Sequence, residues 1–114
     1  MIHYTNTDNP IDFPPVGTAA LDATNNEVMD ILQEECAEVI QAVSKIRRFG
    51  MDNSKYNTNQ TNREHLEEEL GDMLAMIDIL MVNNIINWGN LHAAKRAKIE
   101  KLKKWSNIQN LENI

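Results

Sequence analysis

The stretch ILQEECAEVIQAVSKIRRFG, residues 31–50, decides the fold. On a helical wheel at about 100° per residue, Val28, Ile31, Leu32, Cys36, Val39, Val43 and Ile46 share one arc. The apolar period is helical, no proline interrupts it, and Gly50 stands where such a helix ends. One residue breaks the pattern. Glu35 falls between Ile31 and Val28, with Glu38 on the edge of the arc and Glu34 further out. A carboxylate that faces a core alone is costly enough to protonate or to demand a partner. Cys36, on the same arc, reads as a core thiol rather than a nucleophile.

Further along, HLEEELGDMLAMIDIL at 65–80 repeats the anomaly. Leu66, Leu70, Met73, Met76, Ile77, Leu80 and Met81 form its apolar arc. Glu69 falls between Met76 and Leu80, Asp72 between Ile79 and Met76, while Glu67 and Glu68 point to solvent. Glu35/Glu38 and Glu69/Asp72 are therefore two i, i+3 pairs, each set into an apolar stripe. Facing one another across antiparallel helices, they make a cluster of four carboxylates that repel unless a cation neutralises them. All-oxygen ligands select a hard ion, Mg²⁺ or Mn²⁺ in its place. A di-iron centre would want Glu-x-x-His pairs, and none of His3, His65 and His92 has a Glu three residues before it.

The third helix, expected over roughly 91–106 with Asn90 as its cap, carries the opposite charge. Leu91, Leu102 and Trp105 define an arc in which Lys98 falls, with Lys95 and Lys101 on its two sides. The three lysines read either as a phosphate-binding face or as a solvated basic face with snorkelling stems. Thr24-x-x-Glu27 and Thr61-x-x-Glu64 match capping boxes for the first two helices. The second helix is expected to run to about Asn87, where Trp88-Gly89 breaks it, and Asn83 and Asn84 read a base or bond at an interface. Trp88 and Trp105 fit packing at a helix junction better than stacking on a base, and His65 and His92 fit surface or capping roles.

The chain divides into a polar arm at 1–17 (with Asn9-Pro10, Pro14-Pro15 and Gly17), a helical domain at 18–106 and a tail at 107–114. Residues 18–23 form a turn before the first helix, and the Asn-rich 50–60 a loop. The expected fold is all-α, an antiparallel bundle of three main helices. Residues 73–86 are apolar nearly all round, since Ile79, Val82 and Ile85 lie off the main stripe. Such a helix needs cover on several sides, so the bundle is expected to be completed by oligomerisation, as a homodimer at least.

Composition fits this picture. At 114 residues the chain suits one domain with a modest core. Ten of the 17 acidic residues fall in 27–38 and 64–72, and six of the 11 basic ones in 95–104, a division suited to holding a cation and a polyanion together. A net charge of −6 argues against general nucleic-acid binding. The single cysteine excludes an intrachain disulfide and a CxxC metal site. The longest apolar run, 73–86, is too short and too interrupted to span a bilayer. With no charged-then-apolar leader, the expected location is the cytoplasm.

The pattern resembles a known one. Glu34-Glu35-x-x-Glu38, followed after 30 residues by Glu69-x-x-Asp72, is similar to the EExxE…ExxD signature of MazG-like all-α nucleotide pyrophosphohydrolases. The wider contexts resemble the small, single-domain, phage-type members over about residues 25–105. The resemblance implies hydrolysis of a nucleoside triphosphate to the monophosphate and pyrophosphate. It places Glu35, Glu38, Glu69 and Asp72 on the metal-ligand positions. Glu34 matches the first acid of the motif, to bind metal through water or help activate the attacking water, so Glu34, Glu35 and Glu38 are the candidate catalytic residues. Lys95, Lys98 and Lys101 are the candidates for substrate phosphate, on the helix where the family places such groups. A homotetramer is implied only by the resemblance. Two other readings stay open: a phosphoribosyl-ATP pyrophosphohydrolase, with the same acid architecture, and a non-catalytic helical oligomerisation or interaction module.

Overall fold

A computed structural model of the chain describes residues 23–54 and 58–114. Three helices make up most of it: α1 over Ala23–Phe49, α2 over Asn62–Val82 and α3 over Trp88–Trp105, followed by a one-turn 3-10 helix at Leu111–Asn113. Among the described residues no strand forms beyond an isolated bridge between Ser54 and Thr61. The fold is all-α, as the periodicity predicts. The arm expected over 1–17 and most of the turn after it lie outside the described residues.

The helix ends show which local signals prevail. Because α1 is already helical at Ala23, Thr24 lies inside it and does not cap it. Gly50, at φ +92°, ends α1 by donating its N–H to the Ile46 carbonyl at 2.8 Å, a conformation that suits a residue without Cβ. At the start of α2 the Thr61/Glu64 capping box forms as expected. The helix then stops five residues short of its expected end. Asn83 caps it through an N–H donated to the Ile79 carbonyl, and Asn84 turns left-handed at φ +59°. Two adjacent asparagines, both tolerant of turn geometry, outweigh the apolar period that continues beyond them. Asn87, not Asn90, caps α3 by accepting the Asn90 N–H at 2.9 Å, so Trp88-Gly89 opens that helix rather than breaking α2.

Two joints hold α1 and α2 together as an antiparallel hairpin. At one end the buried Asn62 donates its side-chain N–H to the Gly50 carbonyl at 2.9 Å, and its backbone N–H reaches Asn53 at 2.8 Å. At the other end Asn83 Nδ2 donates to Asn25 Oδ1 at 3.1 Å. Between the joints runs a narrow seam. On α1 it follows Val28, Glu35 and Ala42, seven residues apart, and on α2 Asn62, Glu69 and Met76, with Leu80 beside them. Ala42, with no exposed surface, lets the helices approach closely. Cys36 and Val43, expected in the core, are exposed. They each follow a residue of the Val28–Glu35–Ala42 line and so sit about 100° round from it, beyond what a single partner helix can cover.

The described residues form two compact units, one ending at Asn83 and the other beginning at Asn84. In the second, the chain returns after α3 and buries Leu111. His92, Ile99 and Leu102 make the half-buried line of α3, continued by its C-cap Ser106. Lys98 lies one position round from it, on the exposed line of Leu91 and Trp105, so the inward placement expected for Lys98 does not hold. Leu111, sharing a cleft of about 150 Å³ with His92 and Ile99, draws that other face inward. No described helix is long and apolar enough to cross a membrane.

Candidate metal centre

Each helix of the hairpin places a carboxylate in the middle of its seam. On α1 the helical period that buries Val28 and Ala42 carries Glu35, midway between them, onto the same line. On α2 the period that buries Met76 and Asn62 does the same for Glu69, only 7% exposed. Asp72, three residues on and exposed, reaches the same spot from the rim. Oxygens of Glu35, Glu69 and Asp72 lie within 4.8 Å of one another. Three of the four expected carboxylates thus converge. Glu38, exposed on α1, lies outside that group, although its charge is still felt at Glu35.

The electrostatics follow from the crowding. Partial burial pushes the Glu35 carboxyl above its ordinary pKa, and the charges of Asp72, Glu69, Glu38 and Glu34 add in the same direction. A site that raises the cost of a negative charge in this way is one that a cation relieves. All the donors are carboxylate oxygens, two helices supply them, and the exposed Asp72 leaves the group open to solvent. That donor set fits a hard divalent ion sharing its coordination with water or phosphate.

Other acids are occupied differently. Glu64 belongs to the cap of α2, and Glu68 accepts a hydrogen bond from Gln60 at 2.7 Å. Glu67 is exposed, as expected. Glu34 is exposed on α1 beside Glu35. Lys95, Lys98 and Lys101 stand exposed on α3, in the second compact unit. Lys95 also lines the cleft beside Leu111, together with Arg96 and Lys103. Trp88 stacks on His92 with ring centres 4.7 Å apart, and Trp105 is exposed rather than packed.

His65, expected in a surface or capping role, is instead mostly covered and faces Glu69. Its Nε2 lies 3.0 Å from Glu69 Oε2, so the most buried acid of the group has a partner on its own helix. The i, i+4 spacing is visible in the sequence and was the available signal.

A family model described as the MazG nucleotide pyrophosphohydrolase domain matches residues 23–104, which include all three helices up to the last turn of α3. No significant match to a curated protein or to a solved structure was found.

Proposed function

The chain belongs to the MazG nucleotide pyrophosphohydrolase family, and from that premise we propose that it hydrolyses a ribo- or deoxyribonucleoside triphosphate to the monophosphate and pyrophosphate. The observation that carries the proposal is the convergence of Glu35, Glu69 and Asp72 within 4.8 Å across the hairpin. In this reading Glu35, Glu38, Glu69 and Asp72 hold Mg²⁺, with Mn²⁺ able to replace it. When bound, the ion offsets phosphate charge and polarises the phosphoanhydride.

The remaining work falls to the side chains. Glu34, exposed beside Glu35 and free of the tight group, takes a proton from the attacking water. The water oxygen bonds to phosphorus as the bridging P–O bond breaks, and its electron pair leaves with pyrophosphate. Lys95, Lys98 and Lys101, exposed on α3, are the proposed phosphate-binding residues. The cytoplasm, where nucleotides are made and used, is the proposed location.

A screen of the canonical and common damaged triphosphates, together with phosphoribosyl-ATP, tests this directly. The expected result is equimolar monophosphate and pyrophosphate from at least one nucleoside triphosphate. Release of orthophosphate with a diphosphate product would overturn it. Turnover of phosphoribosyl-ATP alone would move the chain to the relative that shares its acid architecture.

We further propose that the chain works as a homodimer or homotetramer. Ile40 and Leu74 are more than half exposed, Ile79 is exposed, and Val82 is 78% exposed, leaving both helices of the hairpin with bare apolar surface. Light scattering at micromolar concentration should report at least a dimer, and Val82→Glu should dissociate or unfold it. A wild-type monomer whose unfolding is independent of concentration would refute the assembly.

A further inference from the structure

We propose that His65 is a positioning residue of the carboxylate centre, holding Glu69 in the orientation in which it binds a cation. The inference deepens the metal-dependent reading above and rests on it.

The case begins with the start of α2. The Thr61/Glu64 capping box fixes the first turn of the helix, and the His65 backbone N–H donates to the Thr61 carbonyl at 2.9 Å. His65 therefore stands on an anchored turn. Helical side chains lean toward the N-terminus, so Glu69, one turn later, reaches back toward His65. The imidazole Nε2 and Glu69 Oε2 meet at 3.0 Å. At that distance the ring can present an N–H to the carboxylate, whose oxygen accepts.

Burial gives this contact its consequence. Glu69 is 7% exposed, so its carboxylate depends on protein donors rather than water. His65 is mostly covered as well and is not one of the three residues whose oxygens converge, so it acts from behind the centre and not within it. With the ring against Oε2, Glu69 still offers a carboxylate oxygen to the converging group. A glutamate has three rotatable side-chain bonds, and a fixed donor at one oxygen removes most of that freedom before an ion arrives. Partners that orient a ligating carboxylate in this way are typically worth 10–100-fold in metal affinity.

The test measures Mn²⁺ binding by calorimetry to the full chain, without nucleotide, for wild type, His65→Ala, His65→Gln and Glu69→Gln. Circular dichroism and thermal melting establish that each variant is folded. Wild type is expected to bind Mn²⁺ and Glu69→Gln to lose it. His65→Ala should weaken binding by about 10–100-fold. His65→Gln keeps an N–H donor within reach of Glu69 and should recover most of that loss. Folded His65→Ala protein that binds Mn²⁺ as tightly as wild type, while Glu69→Gln does not, would overturn the positioning role and leave the metal centre standing. Equal weakening in Ala and Gln variants would also overturn it, since loss of the ring and not of the donor would then be responsible. Wild type that binds no Mn²⁺ would overturn the metal reading and this inference together.

Discussion

Glu35→Gln, Glu69→Gln and Asp72→Asn should each reduce metal-dependent turnover by at least about a hundredfold. Residues that merely orient a ligand are worth up to that much, and a ligand itself should be worth no less. Each change keeps the shape of the side chain and removes one charge from a group whose oxygens lie within 4.8 Å. Glu67→Gln, on the exposed side of the same helix, should leave activity unchanged and shift stability by no more than about 0.5 kcal/mol. If Glu67→Gln lost turnover and Glu35→Gln kept it, the catalytic face of the hairpin would have been misassigned.

The metal-free protein supplies an independent readout of the same crowding. Partial burial and four neighbouring acids make the Glu35 carboxyl bind its proton more tightly in the folded chain than at its ordinary value of 4.5. The folded state then holds more protons than the unfolded one across that interval. The stability from this proton is fully present below the ordinary value and is lost as pH rises through the raised one. At neutral pH, metal-free Glu35→Gln should therefore melt at the same temperature as wild type or higher. Toward acidic pH the gap should close. Thermal melts of both proteins across the carboxylate range check this, and a gap that widens on acidification would contradict it.

Chelation should have the other large effect. EDTA should take turnover to background, and Mg²⁺ or Mn²⁺ should restore it where Zn²⁺ alone does not, because the converging donors are oxygens with no Cys or His among them. Ca²⁺ is expected to bind yet support turnover poorly, since it favours looser, higher-coordinate geometry. Binding to the folded state alone also stabilises it, by about 2.7 kcal/mol at a hundred times the dissociation constant. For a chain of this size that corresponds to a rise in melting temperature of about 10–20 °C. Full turnover in excess chelator would exclude the carboxylate centre from the chemistry.

By itself the sequence determined whatever depends on neighbours along one helix. The 3.6-residue period located all three helices, Thr61 and Glu64 located the start of α2, and Glu35 and Glu69 stood out because their wheel positions are apolar. The family signature is legible for the same reason, since its acids are spaced by turns of a helix. Tertiary structure decided matters of angle and competition. A wheel gives an apolar arc but not its centre, and the close contact at Ala42 put that centre on the Val28–Glu35–Ala42 line, leaving Cys36 and Val43 outside. On α3 the returning tail drew in the Ile99 face, so Lys98 ended on the exposed side. Asn83 and Asn84 offered both helix and turn, and the hydrogen bond from Asn83 to Asn25 shows the turn in use. His65 and Glu69 were one turn apart from the outset, but only the burial of Glu69 in the seam makes that spacing matter, because an exposed glutamate would have taken its hydrogen bonds from water.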